Sequence, residues 1–192
     1  LIASEGVNSI LRNNIGIETF SRDYDQVAVI ARATFEKPHQ NTAYERFTED
    51  GPLALLPVNE REMAVVLVAD SRESEKWKKA SDLTYSAEII ARIGARLGDI
   101  TEVSERQVWP LTLMIPKKVV DGKLLLAGNS AHGLHPIAGQ GLNLGIRDCE
   151  AIIDLFASNQ YPTESDLLAF NDVRRKDIVK TVGATDFLVN AF

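Results

Sequence analysis

Between Leu124 and Glu150 the chain changes from one structural period to another, and the interval is filled with glycine, proline and amide side chains. Lys123 to Ala127 is a short apolar run ending at Gly128, the pattern of a strand buried on both faces. The chain then reads as irregular up to Gly139. From Gly141 a helical period begins, with Gly145, Cys149, Ile152 and Phe156 expected on one buried face. A strand, a long glycine-rich loop and a helix opening at Gly-Gln-Gly-Leu-Asn together form a place to receive a ligand. Glycine lets a ligand approach the backbone, and the first-turn N–H groups lack partners and carry partial positive charge. Electron-rich oxygens suit such an entrance. A tight structural turn with no ligand is the plain alternative.

Two nucleotide motifs fail here. A P-loop needs Gly-Lys-Ser/Thr at its end, and no such triplet follows Gly128 or Gly139. Gly139, Gly141 and Gly145 are spaced one residue too long for G-x-G-x-x-G, with Leu144 where the third glycine belongs.

Elsewhere, Val27 to Ala33, Ala43 to Phe47, Leu53 to Val58 and Met63 to Ala69 read as strands. Glu49-Asp50-Gly51-Pro52 and Asn59-Glu60-Arg61-Glu62 mark hairpin turns and favour antiparallel pairing. A helix is expected over Ser81 to Leu97, a strand over Val103 to Leu113 with an edge or bend at Pro110, and a long helix from Asp166 to Phe192. Ile178, Val182, Val189 and Phe192 would share one side of that last helix.

The loop resembles the second FAD-binding motif of the class A flavoprotein aromatic hydroxylases, Gly-Asp-Ala-Ala-His, a spacer with Pro, then Gly-Gln-Gly-x-Asn and an acid. Here it reads Gly128-Asn129-Ser130-Ala131-His132, Pro136, Gly139-Gln140-Gly141-Leu142-Asn143 and Asp148. Ala3-Ser4-Glu5-Gly6-Val7-Asn8-Ser9 and Arg12 resemble the family's Ala-Asp-Gly-x-Asn-Ser-x-x-Arg element. Leu134-His135-Pro136-Ile137-Ala138, Tyr44 to Thr48 and Gly51 to Pro57 are most similar to the ubiquinone-biosynthesis subgroup, of the 2-octaprenyl-6-methoxyphenol hydroxylase type. Two departures stand out. Asn129 replaces the usual aspartate and accepts without charge assistance, and Glu5 replaces aspartate with a longer reach.

The resemblance implies an α/β (α+β) fold, with a mostly antiparallel sheet covering the substrate beside the C-terminal part of an FAD-binding domain. It divides the chain into an FAD segment (1–20), the sheet domain (21–118), a second FAD segment carrying the flavin loop (119–160) and a C-terminal helical region (161–192). The implied cofactor contacts are Glu5, Gly6, Arg12, Gly128, Asn129, Pro136, Gly139, Gln140, Gly141, Leu142 and Asn143. No catalytic acid or base is singled out. FAD, NAD(P)H or another electron donor, and O2 would serve hydroxylation of a prenylated phenol. Another aromatic hydroxylase, a prenyl-lipid reductase, or a scaffold or lipid-binding piece of a biosynthetic complex are the alternatives. Family members begin with a strand, a G-x-G-x-x-G turn and a helix. Nothing here supplies these, so the chain is expected to be the C-terminal part of a longer enzyme with poor FAD affinity by itself.

With 192 residues, 45% hydrophobic and 25% charged, the chain can bury a core. A net charge of −6 argues against a nucleic-acid partner. No apolar run reaches spanning length, so a cytoplasmic protein is expected, with any contact to the inner membrane or to biosynthetic-complex proteins peripheral. The lone Cys149 reads as a small core residue. His132 and His135 have ligand spacing but no third ligand nearby, so no metal is expected, and His132 is read as packing or hydrogen-bonding near the flavin. Arg174-Arg175-Lys176 with Lys180 reads as a solvated helix face, and Trp77, among lysines, as a half-exposed aromatic. Tyr44 and Phe47 fit either a substrate cavity or ordinary packing.

Overall fold

Among the described residues, 1–158 and 160–191, the computed structural model contains, in chain order, β1 (Ile2–Ala3), α1 (Ile10–Asn14), β2 (Thr19–Phe35), β3 (Tyr44–Arg46), β4 (Leu53–Pro57), β5 (Glu62–Asp70), α2 (Ser74–Lys79) and α3 (Asp82–Ile93). There follow β6 (Ile100–Val103), β7 (Gln107–Pro116), β8 (Val120–Asp121), β9 (Leu124–Leu126), α4 (Gln140–Ser158) and α5 (Glu164–Ala191). Two compact units result, Leu1–Tyr24 with Thr112–Ala191, and Asp25–Leu111. The α/β (α+β) class expected from the sequence is the one observed.

The Asp25–Leu111 unit is built on strand alternation. Val27, Val29, Ala31, Ala33 and Phe35 point inward along β2, while Ile30 and Arg32 face outward. Met63, Val65, Leu67 and Ala69 do the same on β5, which runs antiparallel to β2 in register from Gln26↔Asp70 to Thr34↔Glu62. The sheet order is β3-β4-β5-β2-β6, and β7 also pairs with β2. The hairpin before β4 requires glycine. Gly51 has φ +107°, and a Cβ there would lie 2.7 Å from the Val68 carbonyl oxygen. One face of the sheet is covered by Tyr85, Ile89 and Ile93 of α3 with Leu97. Ser81 starts α3 by accepting the Thr84 N–H, and Gly94 with φ +82° ends it, so the expected Ser81 to Leu97 helix becomes α3 plus a 3₁₀ turn at Ala95–Leu97.

Two expectations are corrected in this unit. The strand expected over Val103 to Leu113 is two strands, β6 and β7. They part where Ser104 turns back to β2, donating its N–H to the Arg32 carbonyl and accepting the Arg32 N–H at its hydroxyl. Pro110 lies inside β7. Trp77 is not half-exposed: the six-residue helix α2 inserts it into the core at 2% exposure, edge-on to Tyr85. Lys76, Lys78 and Lys79 stay outside, which is why composition alone suggested a wet surface.

In the other unit β1 pairs in parallel with β9, Ile2 opposite Leu125, and β8 closes the small sheet antiparallel. Leu124 to Ala127 are buried, as the apolar run implied. On α5, Phe170, Ile178 and Val182 face the core, Val189 is half-buried, and Phe192 lies outside the described residues. The inward face of α4 differs from expectation. Leu144 and Asp148 are buried with Ile152 and Leu155 half-buried, whereas Cys149 is exposed and Phe156 is 41% exposed. The helix is turned one position because Asp148 is drawn inward by the partners described next.

Candidate flavin-receiving site

The glycine-rich loop is assembled around a buried carboxylate. Asp148 Oδ2 accepts the Gly128 N–H at 2.8 Å and meets His132 Nε2 at 2.8 Å. Its Oδ1 accepts Nε and Nη2 of Arg174 at 2.9 and 2.6 Å. Arg174 also reaches the Leu144 carbonyl and Asp177, which in turn accepts from Arg147. Burial would raise the Asp177 carboxyl, but the two arginines outweigh it and hold it below its ordinary value. Arg174 is therefore no part of a solvated basic face. It is 4% exposed, on the same side of α5 as Phe170, Ile178 and Val182. Arg175 donates to the carbonyls of Pro116 and Lys117, and of the run only Lys176 and Lys180 are exposed as a solvated face would be.

Ser130 ties the loop to the N-terminal block. Its hydroxyl accepts the Gly6 N–H at 3.1 Å and donates to the Gly6 carbonyl at 3.3 Å. Arg12 is buried and donates to the carbonyls of Ser130 (3.0 Å) and Val7 (2.6 Å). Thus Arg12 joins the two blocks across the 118 positions that separate it from Ser130. Glu5 is exposed and accepts the Leu11 N–H at 2.8 Å, the main reason its carboxyl sits below the usual glutamate value. Gly6 has φ +98°.

Farther along, Gly133 forms a two-way bridge with Met114. His135 caps the 3₁₀ turn Pro136–Ala138 by accepting the Ile137 N–H at Nδ1, 3.1 Å away. Gly139 follows in the left-handed region, φ +59°, and α4 begins at Gln140. The histidines of the His-x-x-His spacing thus take different partners, Asp148 and the Ile137 N–H.

The site residues read from the sequence fall into two sets. Asn129, Gly139, Leu142 and Asn143 are exposed, Pro136, Gln140 and Gly141 half-buried, and they border the entrance of α4. A Cβ built at Gly128, Gly139 or Gly141 meets nothing within 4 Å, so open space lies beside the backbone there. By contrast, the two Nη groups of Arg12 and the N–H of Gly128 are consumed by internal bonds. The open glycines, the N-terminal entrance of a 19-residue helix and the exposed Asn129 side chain fit a polar, partly anionic ring system and its hydroxylated chain. Sequence reasoning missed Ser130 and Arg174 as parts of this assembly. The four-residue spacing from Phe170 through Arg174 to Ile178 and Val182 carried the signal for Arg174.

Comparison with known proteins places the chain in a family. Residues 1–184 match the model of a family described as FAD binding domain. The chain is 32% identical over 207 residues to the ubiquinone hydroxylase UbiL of Rhodospirillum rubrum, covering 100% of this chain and 46% of that protein. It is 30% identical over 227 residues to the mitochondrial ubiquinone biosynthesis monooxygenase COQ6 of Homo sapiens, covering 98% of this chain and 48% of the relative. The chain thus spans about half the length of these relatives. The crystal structure of PqsL from Pseudomonas aeruginosa, a probable FAD-dependent monooxygenase, superimposes with a TM-score of 0.74 at 19% identity, covering 99% of this chain and 55% of that one.

Proposed function

Because the chain belongs to the FAD binding domain family, we propose that it forms the flavin-side half of a monooxygenase that hydroxylates a prenylated phenol in ubiquinone biosynthesis. Residues 1–20 and 119–160 would hold the flavin, 21–118 would cover the substrate, and 161–192 would brace the flavin segment. The observation that carries this reading is the open entrance of α4 at Gly139–Asn143, stitched through Ser130 to Gly6. The names of the relatives, a ubiquinone hydroxylase and a ubiquinone biosynthesis monooxygenase, support the substrate class.

When bound, FAD supplies the redox and O2 chemistry, with electrons from NAD(P)H or another donor. The rest falls to this chain's own residues. First-turn N–H groups at Gly139 to Asn143 would stabilise negative charge on the ring system. Asn129 would accept a hydrogen bond from the cofactor's hydroxylated chain, and Glu5 and Gly6 would border it. Pro136 shapes the loop edge, while Arg12 and Gly128 hold the wall. The apolar strands of the sheet offer a surface for a prenyl chain.

The test is oxygen incorporation. The full-length enzyme carrying this half, supplied with FAD, NAD(P)H, a prenylated phenol and ¹⁸O₂, is expected to place label on the ring. A reduced, unlabelled product would point to a reductase. Absence of flavin binding at micromolar FAD, together with no labelled product, would sink the hydroxylase reading and leave the scaffold.

A further inference from the structure

His135 is the cap of the turn that leads into α4, and one side chain from outside the loop, Tyr24, packs on it and is itself held by two more. Tyr24, in the first third of β2, sets its ring edge against the imidazole, with centroids 5.0 Å apart at 80°. The Tyr24 hydroxyl donates to Asp186 of α5 at 2.6 Å. Arg22 donates to the same oxygen at 2.6 Å and lies 4.9 Å over the tyrosine ring. The imidazole is 1% exposed. Neither its sequence spacing nor the flavin reading above requires these neighbours.

We propose that Arg22, Tyr24 and Asp186 form a clamp that positions His135, and through its Nδ1 cap holds the Pro136–Gly139 turn in the shape that receives the flavin. The proposal rests on the functional reading above and adds positioning residues to that site. Its chemistry is consistent. Nδ1 can accept the Ile137 N–H only if the ring is neutral with its proton on Nε2, and burial holds His135 down to about 4 against the opposing pull of Asp186. Tyr24 is pushed up to about 12, chiefly by burial and then by its bond to Asp186, so it remains a phenol that can donate. An asparagine at position 135 keeps an acceptor at the same distance from the backbone, as in an Asx turn, whereas leucine keeps bulk and loses the acceptor.

Two readouts test this: hydrogen exchange of the 135–141 amides without ligand, and FAD titration with the visible spectrum of the bound flavin. His135→Leu and Tyr24→Ala are expected to speed exchange about tenfold, the scale of one lost cap or buried bond. They should weaken FAD binding by a similar factor and shift the flavin band. His135→Asn should rescue both readouts to within about twofold, and Tyr24→Phe should speed exchange about threefold. Folded His135→Leu and Tyr24→Ala proteins with wild-type exchange and titration overturn the clamp, as does failure of asparagine to rescue. Should those two variants not fold, Tyr24→Phe and Asp186→Asn decide: about threefold faster exchange supports the clamp, and unchanged exchange refutes it. The titrations use the full-length enzyme carrying this half: a wild-type full-length enzyme that binds no FAD defeats the functional reading, while the exchange measurements still judge the clamp.

Discussion

Asp148 accepts from Gly128, His132 and Arg174 within the protein, two contacts on each carboxylate oxygen. Removing it leaves the Arg174 charge buried without its main partner. Asp148→Ala should therefore destabilise the fold by about 3–5 kcal/mol, read from the urea midpoint, and Asp148→Ala with Arg174→Met should recover part of that loss. Gly139 is a second sensitive position, because its φ of +59° is one that side chains with a Cβ resist. Gly139→Ala should cost about 1–2 kcal/mol and should weaken FAD binding in a flavin-fluorescence titration. His135 gives a pH signature. Its folded value near 4 lies below its ordinary 6.5, so the unfolded chain binds more protons between them. This contribution is fully present above pH 6.5 and is lost as pH falls toward 4. Among the groups that face it, Tyr24 packs on the ring and Asp186 of α5 acts on it electrostatically, with Arg22 paired to Asp186 behind them. Urea midpoints at pH 7 and 5 should diverge less in His135→Asn than in the wild type.

At the scale of elements, legibility followed length and period. The strands β2, β4 and β5 were readable because inward and outward residues alternate over five or more positions between turn residues. Helix α2 was not, since six residues rich in lysine contain too few turns to show a period. The split between β6 and β7 escaped as well, because its cause is the Ser104 contact with Arg32 on a strand 72 positions away. Trp77 shows what such a short helix contributes. Trp77→Ala should cost about 3–5 kcal/mol in unfolding, since the side chain fills space beneath the sheet that neighbours cannot close.

On the whole molecule, one face of α4 remains open. Leu142, Ile146, Cys149, Ile153 and Phe156 recur at helical spacing and are exposed, Ile153 to 65%. An apolar stripe of this kind binds apolar dyes. The chain should enhance the fluorescence of such a dye, and Ile146→Glu with Ile153→Glu should lower the signal without shifting the thermal midpoint by more than a few degrees. Among the described residues no helix is long and apolar enough to cross a membrane.

The sequence by itself determined the fold class, the strands with a clear period, the buried run before Gly128 and the family, because these depend on local pattern and on motif residues close together in the chain. Only the tertiary structure decided which face of α4 turns inward, that Arg174 pairs with Asp148, and that Tyr24, held by Arg22 and Asp186, packs on His135. Those outcomes depend on pairings between residues 26 to 164 positions apart. Charge and burial at such distances are settled by packing, and no local period records them.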